Sequence, residues 1–222
     1  MSDLTIYGNI LSQPVRSVVE FCKLSNIQYT HKDLHPMKGE HLTEEYSKIN
    51  PFQEIPAIVH DGYNVWESAA IVPYLADSYN VDNQWYPKDI KIRARINAYL
   101  HWHHQGVRAV ITNYIRQKIA GPKFFGAPEL TPETEAPLRA KLNEWFETFT
   151  WMLSETHYAA RTQTATVADL FAFNEIECIY LLQVDISAYP AIKTWYDEIA
   201  AIPAVHEATA AAQEIIKAMM SS

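Results

Sequence analysis

Cysteine is scarce in this chain: Cys22 and Cys178 are the only two among 222 residues. Both lie in apolar stretches of helical periodicity and form no C-x-x-C pair, which argues against a disulfide framework or a thiolate zinc site. Glycine is equally thin, with six residues, and no two are separated by a single position, so a G-x-G-x-x-G dinucleotide loop cannot be drawn. Gly121 and Gly126 have the spacing of a phosphate loop. However, Ala127-Pro128 stand where Lys and Ser or Thr would bind phosphate and Mg²⁺, and Pro122 removes an N–H from the cradle. His206-Glu207 opens like a zinc-protease H-E-x-x-H, but Ala210 occupies the position of the second histidine.

Long apolar runs are missing too. No stretch approaches the ~18 uninterrupted apolar residues of a membrane span, and Met1-Ser2-Asp3 lacks the basic and apolar regions of a signal peptide. A reducing cytoplasm is therefore the expected location, with no membrane partner. Positive charge is in deficit: 18 Lys and Arg against 26 Asp and Glu leave a net charge of −8, a field that repels polyanions. Nucleic acid is not an expected partner.

The rest of the composition is that of a soluble globular protein, 48% apolar and 20% charged, long enough for one large domain or two small ones. Residues 4–7 read as a strand, 14–24 as an amphipathic helix with proline in its first turn, and 27–33 as a second strand. A hairpin follows, with strands at 57–60 and 64–66 around Asp61-Gly62, and then a helix over 67–79. The order is βαβ, a loop or short helix, then ββα. Near Asn80 the alternation stops, and helical periodicity fills residues 90–119, 132–156, 166–182, 189–199 and 205–219. These textures predict an α/β domain over 1–79, a linker over 80–89 and an all-α domain over 90–222.

Several polar residues stand at positions with chemical potential. Ser12, before Gln13-Pro14, is placed as an N-cap or as a hydroxyl presented at a helix start. Ser68 opens a helix directly after a strand, where its hydroxyl and N–H can cap or can meet an anion. On the long helix His101 and His104 share a face at i, i+3, but no nearby carboxylate or cysteine completes a ligand set, so no metal is expected. Thr166 and Asp169 have the spacing of a reciprocal N-terminal cap.

The segments Leu11-Ser12-Gln13-Pro14 with Arg16, Lys38-Gly39-Glu40-His41, Ile55-Pro56-Ala57, Glu67-Ser68-Ala69-Ala70-Ile71, Trp85-Tyr86-Pro87 and Thr166-Val167-Ala168-Asp169-Leu170 together resemble the cytosolic glutathione transferases. The nearest class is theta. The resemblance spans residues 4–182 in family order. It implies a thioredoxin-like domain followed by an all-α domain, glutathione as co-substrate, a small hydrophobic electrophile as second substrate, and a homodimer. Conjugation to alkyl halides, epoxides or enals is the implied reaction, with reduction of organic hydroperoxides beside it. A non-catalytic interaction module of the same fold, or a narrow-purpose dehalogenase or isomerase, is the alternative.

The same resemblance assigns roles. Ser12 hydrogen-bonds the glutathione sulfur, and Arg108 is directed toward it, with a surface salt bridge as the competing reading for that arginine. Tyr7 is the rival hydroxyl, because other classes use a tyrosine on the first strand, but it lacks their surrounding pattern. His41 meets the glycyl carboxylate. Ile55-Pro56 forms a cis-proline turn whose Ile55 backbone pairs with the cysteinyl backbone, and Glu67-Ser68 receive the γ-glutamyl end. Gln105 stands where relatives carry an Asp that reaches the neighbouring subunit's ligand. Trp102, Ile115 and Phe124 are implied to line the second-substrate pocket. Glu54 departs from the pattern, since an acid beside an anionic ligand is unfavourable. The absence of cysteine at the Ser12 turn argues against thiol–disulfide exchange as the main activity.

Overall fold

The computed structural model describes residues 3–221, which divide into two compact units, 3–89 with 201–221 and 90–200. The first unit is built on a four-stranded sheet in the order β2-β1-β3-β4. Strand β1 (Leu4–Tyr7) pairs in parallel with β2 (Thr30–Lys32) through the crossover helix α1 (Gln13–Leu24). It pairs antiparallel with β3 (Ala57–His60), which turns back into β4 (Tyr63–Trp66). The turn is built on Asp61 and Gly62 at φ 49° and 81°, the positive values that a tight hairpin of this hand needs. Between β2 and β3 lies the short helix α2 (Glu44–Ser47), and α3 (Ser68–Ser78) follows β4. Ile6 and Ile58 from the sheet, Val15, Val18 and Phe21 from α1, and Ile71, Val72 and Leu75 from α3 are fully buried.

The final helix α10 (Pro203–Ser221) packs on α1, and Lys23 of α1 forms an ion pair with Glu207 at 2.8 Å. Residues 201–221 therefore belong with the first unit, where helical texture alone groups them with 90–222. Periodicity reports which face of a helix is apolar, and says nothing of which partner covers it. The segment 80–89 is also part of this unit, with Trp85 and Tyr86 buried.

The second unit is helical. One continuous rod runs through α4 (Ile90–His103), a π turn at His104–Arg108, α5 (Ala109–Ile115), a second π turn at Arg116–Ala120 and α6 (Gly121–Phe125). It ends at Gly126, whose φ of 66° closes it as a left-handed cap. Helix α7 (Pro132–Leu153) starts at a Thr131–Thr134 capping box, and α9 (Pro190–Ala200) follows α8 (Val167–Glu177) and a 3₁₀ turn through Leu182. Helix α8 is buried along its whole length, so its polar side chains must find partners inside the protein.

Asp169 shows how this is done. Its carboxylate accepts from the N–H of Thr166 at 2.8 Å, the N–H of Ala159 at 2.8 Å and the indole N–H of Trp195 at 2.9 Å, with the Thr166 hydroxyl at 3.3 Å. The expected reciprocal cap of Thr166 and Asp169 is present. The Thr166 hydroxyl points to the same carboxylate, and Asp169 is a hub that ties α8 to α9 and to the loop before it. Burial pushes this carboxyl up, and the four donors offset only part of that rise.

Candidate functional site

The sheet register gathers the motifs of the first unit. Tyr7 lies opposite both Lys32 and Ala57, and Ala57 lies opposite Trp66. The next residues along each strand end are Gly8, Asp33, Pro56 and Glu67. The loops carrying Ser12, His41, Ile55 and Ser68 thus leave the same end of one sheet, the region where open α/β sheets bind ligands.

Each loop is held by its own backbone. At Gly8, φ is 154°, and an added Cβ would stand 2.5 Å from a Val15 methyl and 3.4 Å from the Ile55 Cβ. Only glycine lets the end of β1 approach both α1 and the Ile55 turn. Gly8 N–H donates to Lys32 C=O at 3.1 Å. Asn9 donates to Asp33 at 2.7 Å and accepts from the N–H of Leu11 at 2.9 Å. The fully buried Arg16 donates back to the carbonyls of Ile10 and Leu11. Ser12 follows as the N-cap, extended at φ −75°, ψ 122°, and its side chain makes no capping hydrogen bond. Its carbonyl receives Arg16 N–H at 3.1 Å, so the helix starts without using the hydroxyl.

The Ile55–Pro56 bond is cis. The carbonyl before it, on Glu54, accepts both the Tyr46 hydroxyl and the Asn50 amide at 2.7 Å, which fixes the turn, while the Glu54 side chain is exposed. Glu67 sits at φ 67°, ψ 109°, a strained conformation for a residue with a side chain, and delivers the buried Ser68 as the first residue of α3. Backbone strain of this kind clusters at ligand clamps. His41 lies in a single 3₁₀ turn after Gly39, and its Nδ1 is buried with no hydrogen-bond partner. The Nδ1 of His35, which sequence reasoning overlooked, is in the same condition, and its backbone N–H donates to Glu40 at 2.7 Å. Tyr7 packs its ring against Tyr46 and under the Lys32 ammonium.

In the helical unit, Arg108 closes the first π turn with a side chain 30% exposed, and donates to the fully buried Glu175 of α8 at 2.7 Å. Gln105 is exposed on the same turn. Trp102 lines a cavity of about 360 Å³ with Arg95, Tyr99, Trp151 and Arg161. A Cβ at Gly106 would fall 2.4 Å from the Trp102 indole, so that glycine makes room for the ring. Ile115 and Phe124 are half-buried and do not line this cavity. His101 is exposed and His103 buried. Among the described residues, no three of His, Cys, Asp and Glu gather as metal ligands, and no helix is long and apolar enough to cross a membrane. Both cysteines are buried free thiols, and burial pushes Cys22 up to about 12. That is the opposite of an activated nucleophile.

Two family descriptions match the chain: "Glutathione S-transferase, N-terminal domain" over residues 2–77 and "Glutathione S-transferase, C-terminal domain" over residues 115–211. Glutathione S-transferase T1 of Arabidopsis thaliana is 33% identical over 186 residues, which is 82% of this chain and 75% of that protein. The chain belongs to the glutathione S-transferase family. Within the family it is theta-like. Mouse glutathione S-transferase theta-1 is 38% identical over 140 residues, 63% of this chain and 58% of that protein, so the match spans less than two thirds of that relative's length. The apo structure of human glutathione-S-transferase T1-1 superimposes with a TM-score of 0.87 at 29% identity, covering 96% of this chain and 89% of that one.

Proposed function

We propose that this chain is a glutathione transferase in which Ser12 holds the glutathione sulfur as a thiolate for attack on a small electrophile. The observation that carries the reading is the Ser12 hydroxyl, which stands at the start of α1 and is not spent on capping it. A thiol near pKa 8.5 is only a few per cent ionised at pH 7, and a hydroxyl donor together with the positive end of a helix favours the charged form. The thiolate displaces halide from an alkyl halide, opens an epoxide, or adds to an enal. Attack on an organic hydroperoxide is the related second activity.

Glutathione supplies two carboxylates and an ammonium. In this reading the Ile55 backbone pairs with its cysteinyl unit, Glu67 and Ser68 take the γ-glutamyl end, and His41 the glycyl carboxylate, where a buried ring nitrogen without a protein partner supports the assignment. Arg108 contributes a cation to the sulfur or the leaving anion. Trp102, Ile115 and Phe124 are assigned to the electrophile, and Gln105 to glutathione, from family resemblance. A cytoplasmic homodimer completes the proposal, and light scattering should report about twice the 25.4 kDa chain mass. A monomer at micromolar concentration would overturn the dimer.

The test of the central reading is the apparent thiol pKa of bound glutathione, followed by thiolate absorbance. Ser12→Ala should raise it and slow conjugation by roughly ten- to a few hundred-fold, the worth of one charge-assisted hydrogen bond. Binding should stay within several-fold, because the backbone and carboxylate contacts lie elsewhere. If Tyr7→Phe raises that pKa and Ser12→Ala does not, the serine assignment fails.

A further inference from the structure

Glu175 joins Arg108 to the helix α8. It is fully buried on α8. One carboxylate oxygen accepts from Arg108 Nη1 at 2.7 Å, and the other accepts from the Thr112 hydroxyl at 3.0 Å. The His103 Nε2, itself in a buried ring, lies 3.7 Å from the oxygen that Arg108 uses. His103 and Arg108 are five residues apart, which in a regular α-helix puts side chains on diverging faces. The π turn at His104–Arg108, with its i→i+5 repeat, brings residues five apart toward one face, so both approach one carboxylate oxygen. Such turns recur at functional sites.

We propose that Glu175 is the positioning residue for Arg108: it holds one arm of the guanidinium and leaves the other for the anionic leaving group. The inference rests on the transferase reading given above. A guanidinium carries five N–H donors in a planar fork. A carboxylate free on both oxygens tends to grip that fork at two points. Here Thr112 occupies the second oxygen, so the grip is one-armed. Among the described residues Glu175 is the hydrogen-bond partner of Arg108, and 30% of the arginine side chain stays exposed, so the pair is not sealed from solvent. Anchoring one arm removes rotamer freedom before an anion arrives, which lowers the entropy cost of meeting it.

The experiment uses the full chain with glutathione and an alkyl halide, following halide release, with Arg108→Ala, Glu175→Gln, Thr112→Val and the Arg108/Glu175 double variant. Glu175→Gln keeps the shape and removes the charge. Arg108→Ala and Glu175→Gln should each lower kcat about ten-fold with the glutathione KM within about three-fold, and the double variant should be no slower than Arg108→Ala, because residues acting as a unit are not additive. Thr112→Val frees the second oxygen to turn toward the guanidinium and should lower kcat by about three-fold, giving the test a variant that keeps the buried charge pair. The inference is overturned if Arg108→Ala is impaired while Glu175→Gln or Thr112→Val keeps wild-type kcat, or if the two single losses add in full. No halide release by the wild type, by contrast, fails the transferase reading and takes this inference with it. Wild-type kcat in Arg108→Ala removes the role of that arginine and overturns the positioning claim.

Discussion

The two units solve the problem of presenting polar groups in different ways. In the first, the groups offered at the sheet end are prepared by backbone: a glycine too crowded for a Cβ at Gly8, a cis bond at Ile55–Pro56, and a positive φ at Glu67. In the second, they are prepared by side-chain charge: Asp169 and Glu175 lie six residues apart on the fully buried α8, and each gathers donors from neighbouring elements. Backbone-built sites tolerate exchange of many side chains, provided the conformation survives. Charge-built ones turn on single residues, because an unpaired buried polar group costs far more than a made hydrogen bond returns.

Asp169→Ala should show the contrast at its largest. It leaves the N–H groups of Ala159, Thr166 and Trp195 without their acceptor, and with about 1–3 kcal/mol for each unsatisfied buried donor, partly relieved by relaxation, we expect a loss of about 3–5 kcal/mol. Chemical denaturation measures it, and glutathione affinity of the folded fraction should not change. Lost binding at full stability would break the division between the units.

Gly8→Ala tests the other side. The new methyl must displace Val15 or the β1 end, and overpacking of this kind costs about 1–3 kcal/mol. The expected signature is the reverse of the previous one: glutathione affinity falls along with stability, because the Ser12 loop and the Ile55 turn both move. Calorimetric titration of the folded variant decides it. Unchanged affinity would mean that the backbone contact at Gly8 is packing alone.

The smallest effect is a pH dependence. Burial alone would push the Glu175 carboxyl up, but the His103 imidazole and the Arg108 guanidinium outweigh it and hold the group at about 2, against an ordinary 4.5. A depressed folded pKa contributes stability above the unfolded value, and that contribution is lost as pH falls from 4.5 toward 2. Glu175→Gln should therefore flatten part of the acid limb of an unfolding profile. The comparison with wild type separates it from Glu135, which its Lys118 and Tyr114 partners also hold at about 2. Identical acid limbs would show that Glu175 carries no linked charge.

Much of the first unit is legible in the residues. The strand at 4–7, the Asp61-Gly62 hairpin and the helix after Pro14 depend on local rules, namely alternation, turn chemistry and the first-turn tolerance for proline, and the structure places them within a few residues of expectation. The loop motifs are legible too, because Ser12, Ile55-Pro56 and Glu67-Ser68 are each contiguous. Glu175 is not. It reads as one more acid in an apolar helix, and its partners lie 63 to 67 residues away. The π turns carry no local signal either, so the long helix reads as one regular span to residue 119 where the rod continues to Phe125.

What the sequence determined by itself is therefore what short-range chemistry can specify: two textures of secondary structure, a family likeness carried by contiguous motifs, and a composition scarce in thiols and glycine loops. What only the tertiary structure decided is which surfaces and charges meet. The last helix packs on α1 and so joins the first unit, although its amphipathic pattern would suit any apolar face. Arg108 finds Glu175 across a helix pair, a contact set by the three-dimensional path of the chain and by the rule that a buried carboxylate must be paired wherever its partner sits in sequence.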